Sequence, residues 1–247
     1  MKTDTKEKVI EITNLRKSFG TQEVLKDFCL NLYDGENLVV LGKSGSGKSV
    51  LIKCIIGLLR ADSGSIKVFD QDITTLSHKR MDEVRKKVGF LFQSGALYDS
   101  MTVKQNLEFP LRRVKSYLKQ KEIDAKIEEV LENVGLLDAL DKMPSQLSGG
   151  MIKRISLART IVVDPKIILY DEPTTGLDPV TSDEISSLIN EVQHKYNASS
   201  IIITHDIECA RMTANRLIML KDGKAYKEGT LSEFEESTDD IINFFFK

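Results

Sequence analysis

One short glycine-rich stretch limits what this chain can fold into more than any other feature. Residues 42–49 read Gly-Lys-Ser-Gly-Ser-Gly-Lys-Ser and fit the pattern G-x-x-x-x-G-K-[ST]. The apolar residues 39–41 precede it, and apolar residues with helical spacing follow it. A strand, a glycine-rich loop and a helix in that order are the context in which this pattern forms a phosphate-binding P-loop. A flexible glycine–serine loop would leave the Lys-Ser pair and both flanking elements unexplained.

The residues of this loop have distinct predicted tasks. The glycines let the backbone turn tightly, so that successive N–H groups and the start of the next helix surround an anion. Lys48 is expected to reach the terminal phosphates, and Ser49 to bind Mg²⁺ through its hydroxyl. We therefore predict that the loop binds a nucleoside triphosphate. The predicted contacts are Gly42, Lys43, Ser44, Gly45, Ser46, Gly47, Lys48, Ser49 and Val50.

The length of the chain allows more than one domain arrangement, and its net charge disfavours a nucleic-acid-binding function. A chain of 247 residues can form one large α/β domain or two small ones. The net charge of −2 gives no electrostatic reason to expect binding to nucleic acid. Charged residues at 29% and hydrophobic residues at 41% are typical of a globular protein.

No part of the sequence predicts a direct membrane association. The polar N-terminal residues 1–8 do not resemble a secretory signal, and no apolar run approaches the roughly 20 residues that span a bilayer. A membrane role would therefore require a partner chain. The isolated Cys29, Cys54 and Cys209 indicate reduced thiols in a cytosolic protein.

Hydrophobic patterning predicts two kinds of sheet. Residues 9–14 and 24–33 alternate between apolar and polar, and Asp34-Gly35 has the composition of a hairpin turn, so the first 36 residues favour an antiparallel β layer. Further along, short apolar strands alternate with helical segments, which is typical of a mainly parallel sheet covered on both faces. These strands are predicted at 64–69, 88–92, 167–170 and 200–204, with helical patterns dominating 95–160 and a closing hairpin at 217–228.

Polar residues follow several of the apolar strands. Gln93 follows residues 88–92, Asp171 and Glu172 follow residues 167–170, and His205 follows residues 200–204. In parallel sheets, ligands bind beyond the carboxyl ends of the strands. We therefore expect these side chains and the P-loop to line one pocket.

The two acidic residues have different predicted roles. Asp171 is expected to help hold Mg²⁺, with capping of the next helix as the alternative. Glu172 is expected to act as the general base towards water, and strand alternation would aim it away from Asp171. The alternative is an exposed acid that starts a turn. His205 is a candidate to contact the γ-phosphate or to hold the attacking water, although a histidine at a strand end has no such meaning by itself.

A second anion site is predicted at Ser148-Gly149-Gly150. The sequence LSGGM precedes a helical run, so Ser148 can cap that helix while the glycines expose backbone N–H groups. The alternative is an ordinary loop and cap. A monomer has no evident need for two such helix starts, whereas a dimer would use both if each chain closed over the P-loop of the other.

Together these motifs resemble one family. GKSGSGKS, Gln93, LSGGM, IILYDEP, GLD and TH are similar in order and spacing to the ATP-binding cassette (ABC) ATPases over nearly the whole chain. The resemblance implies a head-to-tail homodimer that binds two ATP molecules with Mg²⁺ at its interface. It also implies a single P-loop NTPase domain over residues 1–247, with a mainly parallel core sheet, an N-terminal antiparallel β subdomain, an inserted helical subdomain at about 95–160 and a tail at 232–247.

The family resemblance adds roles at four positions. Phe19 resembles the aromatic residue that stacks on adenine, which is more often tyrosine, and a core phenylalanine is the alternative. Gln93 resembles the residue that touches Mg²⁺, takes part in catalysis and links the site to the helical subdomain. Asp178 resembles the residue that crosses the dimer interface. Met151 replaces the usual glutamine of LSGGQ, which removes one polar side chain from the expected ATP interface.

Shorter stretches resemble one branch of the family. The sequences QSGALYDSMTV (93–103), EFPLR (108–112) and LSGGM are similar to the Mla-type ATPases of MCE-associated lipid transporters. The branch implies a membrane permease, an MCE-type lipid-binding protein, phospholipid transport, and a peripheral location on the cytoplasmic face of the bacterial inner membrane. The alternative is an ABC ATPase that acts in assembly or cell division. ABC proteins of DNA repair or ribosome binding are disfavoured, because no coiled-coil insertion or second cassette is present.

Two further segments have open interpretations. The apolar residues Ala96, Leu97, Tyr98, Met101 and Val103 are either a docking surface for a partner or ordinary core. Residues 238–246 are expected to form an amphipathic helix that packs on its own domain, with docking on a second protomer or a regulator as the alternative.

Overall fold

The computed structural model describes residues 7–246 and contains two β-sheets with helices around them. Residues 1–6, which belong to the segment without a predicted secretory signal, and Lys247 at the end of the tail lie outside the described residues. The strands are β1 (Lys8–Phe19), β2 (Gln22–Tyr33), β3 (Asn37–Leu41), β4 (Ser63–Val68), β5 (Gln71–Asp72), β6 (Val88–Leu91), β7 (Ile167–Asp171), β8 (Ser199–Thr204), β9 (Arg216–Lys221) and β10 (Lys224–Gly229). The helices are α1 (Lys48–Ile55), α2 (His78–Arg85), α3 (Val103–Val114), α4 (Gln120–Asn133), α5 (Gly149–Ile161), α6 (Pro179–Tyr196), α7 (Ile207–Thr213), α8 (Leu231–Glu235) and α9 (Asp240–Phe246), and two short 3-10 helices lie between α4 and α5.

The central sheet is mainly parallel, as the apolar strands predicted. Its order is β10-β9-β3-β8-β7-β6, in which the pairs from β9 to β6 are parallel and β10 is antiparallel to β9. All residues of β3, β7 and β8 are buried, which explains their continuous apolar runs. The parallel order brings the carboxyl ends of β3, β6, β7 and β8 to one edge of the sheet.

The second sheet confirms the predicted N-terminal antiparallel layer, with order β2-β1-β4-β5. Its first strand is longer than the alternation indicated, since β1 continues past Asn14 to Phe19. Asn14 has a positive φ of 49°, and the register with β2 shifts between Ile12 and Leu15. A bulge therefore interrupts the alternation without ending the strand.

The predicted hairpin at Asp34-Gly35 is wrong. The turn exists, and Gly35 has a φ of 69°, but β2 pairs with β1 whereas β3 pairs with β8 and β9 in the other sheet. Turn composition fixes the local reversal but not the partner of the next strand. Because β3 is apolar on both faces, it is stable only in the middle of the covered sheet.

Two hydrophobic clusters cover the faces of the central sheet. Val39 and Leu41 of β3 point into a cluster with helices α3 to α7. Leu38 and Val40 point into the other cluster, with the antiparallel sheet, α1 and α2. The helices α3, α4 and α5 occupy most of the region from residue 95 to residue 160. Among residues 7–246, no helix is both long and apolar enough to cross a bilayer.

The C-terminal segment packs on its own chain. Ile242 of α9 is 1% exposed, and the rings of Phe234 and Phe246 lie 5.8 Å apart. Phe244 points outward and is 74% exposed. The tail therefore packs on its own domain, as the first of its two interpretations predicted.

Candidate nucleotide-binding site

The loop between β3 and α1 requires glycine at two positions. Gly47 has a φ of 105° and caps the N-terminus of α1, where an added Cβ atom would lie 2.9 Å from Val24 Cγ1. A Cβ atom at Gly42 would lie 2.7 Å from the carbonyl oxygen of Leu220. The loop can therefore stay close to its neighbours while the first N–H groups of α1, which have no partner within the helix, face outward.

Lys48 lies inside the curve of this loop. Its side chain is 5% exposed, and its Nζ atom donates to the carbonyl oxygens of Gly42 at 2.7 Å and Lys43 at 3.2 Å. The same Nζ atom lies 3.2 Å from Oε1 of Glu172. A cation is thus held where the predicted phosphates would bind.

The structure also places hard oxygen ligands beside the loop. The hydroxyl of Ser49 donates to Oδ1 of Asp171 at 3.0 Å. Burial raises the pKa of Asp171, against the opposing hydrogen bond from Ser49. A hydroxyl and a carboxylate suit Mg²⁺, which prefers oxygen ligands. The buried hydroxyl of Ser46 has no partner within the described chain, which fits a loop that holds an anion.

Glu172 reaches the site by a route that the sequence did not predict. It follows the last residue of β7 and has a left-handed φ of 50°, so strand alternation does not set its direction. The prediction that strand alternation aims its side chain away from Asp171 is therefore wrong, and both carboxylates instead contact residues at the start of α1. Oε2 of Glu172 lies 2.7 Å from Nδ1 of His205 and accepts from the hydroxyl of Thr175 at 3.2 Å.

Lys48, Ser49, Glu172 and His205 line one cavity of about 310 Å³ at the carboxyl edge of the central sheet. Gln93 lies in its wall, and Phe19 lies there with 47% of its surface exposed, outside the core of the antiparallel sheet. The cavity thus brings together residues from five separate parts of the chain. Its lining residues are Phe19, Val24, Ser44, Gly45, Gly47, Lys48, Ser49, Val50, Gln93, Glu172 and His205.

The second predicted anion site lies elsewhere. Ser148, Gly149, Gly150 and Asp178 line another cavity of about 340 Å³, which shares no lining residue with the first. Ser148 caps α5 by accepting from the N–H of Met151 at 3.3 Å. Asp178 caps α6, and hydrogen bonds from Thr181 hold its pKa below the usual range. A single chain does not bring these residues to its own P-loop.

The predicted docking surface is divided by the structure. Ala96 and Tyr98 are exposed and Leu97 and Met101 are half-buried, but Val103 is 0% exposed and belongs to the core. For Val103 the core interpretation is therefore confirmed, because the first turn of α3 packs inward. Sequence reasoning missed Phe109, whose ring lies 5.4 Å from that of Tyr98 and is 43% exposed.

A buried lysine behind the site was also missed. Lys153 of α5 is 6% exposed and donates to the carbonyl oxygens of Gln93 and Glu172. A sequence signal exists, since Lys153, Ser156 and Thr160 recur at i, i+3 and i+7 and all three are buried. Polar residues on an inward helix face need partners, and the partners of Lys153 belong to the site.

Comparison with known proteins identifies the family. Residues 25–175 match the family described as ABC transporter. The chain belongs to this family. ATP and Mg²⁺ are its cofactors, and the P-loop with Ser49 and Asp171 fits both.

Curated relatives carry different substrate names. The chain is 44% identical over 211 residues to the probable ribonucleotide transport ATP-binding protein mkl of Mycobacterium leprae, which covers 85% of the chain and 60% of that relative. The chain thus spans about three fifths of the length of the mycobacterial relatives. It is 38% identical over 231 residues to the intermembrane phospholipid transport system ATP-binding protein MlaF of Haemophilus influenzae, covering 94% of the chain and 87% of MlaF.

A solved structure has the same fold. The ATP-binding cassette MJ0796, determined as a dimer in a post-hydrolysis state bound to ADP and Pi, superimposes with a TM-score of 0.82 at 31% sequence identity. The match covers 90% of this chain and 98% of that one. The predicted P-loop ATPase fold is therefore confirmed.

Proposed function

We propose that this chain is an ATP-hydrolysing subunit that powers an ABC transporter for phospholipid in the bacterial envelope. The observation that carries the hydrolytic part is the contact of one carboxylate, Glu172, with both Lys48 of the P-loop and His205. A base placed beside the phosphate-binding cation can act on water at the terminal phosphate.

The roles follow from the contacts. The loop N–H groups and Lys48 bind the phosphates, and Ser49, Asp171 and Gln93 would hold Mg²⁺, which would neutralise charge on the transferring phosphoryl group. Glu172 orients water and accepts its proton at a carboxylate oxygen. His205 holds that carboxylate through Nδ1 at 2.7 Å and presents its half-exposed ring to the cavity. Phe19 stacks on adenine at the cavity mouth.

A second copy of the chain completes the site. The cavity at Ser148-Gly149-Gly150 and Asp178 is separate from the P-loop cavity within one chain, yet both present helix starts suited to phosphate. In a head-to-tail homodimer, each of these segments covers the ATP held by the other chain. The dimeric relative MJ0796 supports this arrangement.

The assignment of a lipid substrate rests on resemblance to MlaF and to the Mla-type branch. The match to MlaF spans almost the whole chain, and the segments 93–103 and 108–112 are similar to the Mla-type branch. The exposed aromatic pair Tyr98 and Phe109, which follows Gln93 in the chain, is the surface on which we place the permease. A permease and an MCE-type protein would hold the subunit at the cytoplasmic face of the inner membrane.

One variant tests the hydrolytic part. Glu172→Gln keeps the shape of the side chain but removes the base, so turnover is expected to fall by about 10²- to 10⁴-fold while ATP still binds. Glu83→Gln, an exposed carboxylate on α2 that pairs with Lys86, is the matched control and is expected to hydrolyse ATP normally. Native turnover by Glu172→Gln would refute the assignment of the base.

Affinity purification from solubilised membranes tests the transport part. A tagged chain is expected to retain a permease and an MCE-type protein, with phospholipid in the purified complex. A permease without lipid but with bound ribonucleotide would favour the function named for mkl. Recovery of non-membrane partners alone would favour the alternative of an ABC ATPase in assembly or cell division.

A further inference from the structure

Lys153 occupies an unusual position between the two halves of the site. It lies about one turn from the start of α5, the helix that Ser148 caps. Its Nζ atom donates to the carbonyl oxygen of Gln93 at 2.5 Å and lies 3.4 Å from the carbonyl oxygen of Glu172. One side chain thus bonds the backbone of two residues that the proposed mechanism uses.

Burial of this ammonium group is costly. Burial lowers the pKa of Lys153, although the nearby carboxylates of Asp171 and Glu172 favour its charged form. A hydrophobic residue of the same length would avoid that cost and would still fill the space. Fold stability alone therefore does not account for a lysine here, and its carbonyl contacts are the remaining explanation.

The backbone of Glu172 needs such support. A left-handed φ of 50° is unfavourable for glutamate and persists only where the surrounding structure supports it. The N–H of Glu172 donates to the carbonyl oxygen of Ile203 at 2.9 Å, which fixes one side of the residue to β8. Lys153 holds the other side by its carbonyl. The two bonds together set the direction in which the carboxylate leaves the chain.

A second basic side chain on α5 shows what is particular to Lys153. Arg159 donates to the carbonyl oxygens of Ala96 at 2.6 Å and Gly95 at 3.2 Å. Arg159 therefore ties α5 to the far part of the loop after β6. Lys153 ties α5 to Gln93 in the same loop and also reaches Glu172.

We infer that Lys153 is a positioning residue that holds the Gln93 loop and the Glu172 backbone in the arrangement needed for hydrolysis. Because α5 begins at the segment that covers the partner's ATP, a displacement of this helix changes the bonds of Lys153. The orientation of Glu172 beside a chain's own P-loop thereby depends on the contact that Ser148-Gly149-Gly150 of the same chain makes with the ATP of the partner chain. This inference rests on the proposed role of Glu172.

Hydrogen–deuterium exchange of the full chain without nucleotide tests the structural part. Lys153→Met keeps the side-chain length and removes both bonds, so amides in segments 92–97 and 171–176 are expected to exchange about tenfold faster. Lys153→Arg keeps a donor and is expected to remain close to wild type. Lys126→Met removes a partly buried lysine that pairs with Asp164 and Glu129 away from the site, and it is the matched control.

Steady-state kinetics test the consequence for catalysis. Lys153→Met is expected to lower kcat about tenfold with KM and ATP affinity changed less than about threefold, and Lys153→Arg is expected to recover most of kcat. Unchanged exchange in both segments, or an equal loss of kcat in Lys126→Met, would overturn the inference. If wild type fails to hydrolyse ATP, the proposed function fails, whereas the exchange result still decides whether Lys153 positions these segments.

Discussion

The Nζ atom of Lys48 lies 3.2 Å from Oε1 of Glu172, and neither side chain is more than 10% exposed. A buried ammonium and a buried carboxylate compensate each other's desolvation only while they remain paired. The phosphates of ATP would compete with Glu172 for the same cation. Nucleotide binding and the freedom of the base are therefore linked through Lys48.

This link predicts a gain in ATP affinity for Glu172→Gln. The neutral amide no longer competes for Lys48 and no longer repels the phosphates, so ATP is expected to bind about three- to tenfold tighter than in wild type. Isothermal titration with Mg-ATP on the slowly hydrolysing variant measures the affinity, and wild type with a non-hydrolysable analogue gives the reference. The control Glu83→Gln is expected to bind as wild type does. Weaker binding by Glu172→Gln would contradict the competition.

The bond from His205 to Glu172 predicts a loss of turnover without a loss of binding. In His205→Ala the carboxylate keeps Lys48 and Thr175 but loses the Nδ1 contact, so kcat is expected to fall about 10- to 100-fold. ATP affinity is expected to change less than about threefold. His194→Ala, in the last turn of α6, is the matched control. An equal fall in affinity and kcat would instead assign His205 to binding.

Much of the site was predictable because parallel strands end at one edge. Gln93, Glu172 and His205 were grouped from their positions after apolar strands, and the structure places all three in the wall of one cavity. The mainly parallel sheet was itself predictable because short apolar strands alternate with helical segments. Hydrophobic patterning along short segments of the chain is enough to locate these strands and their ends.

What the sequence did not predict depends on contacts between distant segments. The turn at Asp34-Gly35 looked like a hairpin because turn composition is local, whereas the pairing of β3 is decided by burial on both faces. The direction of Glu172 depends on its left-handed φ, and the contacts of Lys153 depend on how α5 crosses the ends of β6 and β7. Neither follows from residue spacing alone.

The separate cavity at Ser148 predicts complementation between defective chains. Ser148→Arg is expected to lower hydrolysis at least about tenfold while ATP binding to the same chain stays within about threefold, because the P-loop cavity is untouched. Lys48→Met is expected to lose ATP binding itself. Mixing the two variants produces heterodimers with one intact composite site, so ATPase activity should exceed that of either variant alone. Absence of any recovery, with heterodimers verified by two different tags, would refute the shared site.

The cysteines predict an effect of pH on stability. Burial raises the pKa of Cys54 and of Cys209 to about 11, from 9.0 for a free thiol. The unfolded chain therefore ionises first, so their contribution to stability is complete below pH 9 and is lost as the pH rises towards 11. Urea unfolding at pH 8 and at pH 10.5 should show a fall of about 1–3 kcal/mol, and the double variant Cys54→Ala/Cys209→Ala should show a smaller fall.

Reaction with a thiol reagent checks the same environments. At pH 8 the exposed Cys29 is expected to react quickly, and the buried Cys54 and Cys209 only as fast as the chain opens. Cys29→Ser should remove the fast phase and leave the slow ones. A fast reaction of two or more thiols in folded wild type would contradict the burial of Cys54 or Cys209.

The tail predicts losses of stability of different size for two residues of the same helix. Ile242 is 1% exposed against the core, so Ile242→Ala is expected to lower the free energy of unfolding by about 2–4 kcal/mol. Phe244 is 74% exposed, and its ring centroid lies 4.8 Å from Lys43 Nζ, so Phe244→Ala should cost less than about 1 kcal/mol. Urea unfolding measures both, and size-exclusion chromatography with Mg-ATP on the Glu172→Gln background measures dimer formation. If Ile242→Ala leaves stability unchanged but prevents the dimer, the tail docks on the second protomer and not on its own chain.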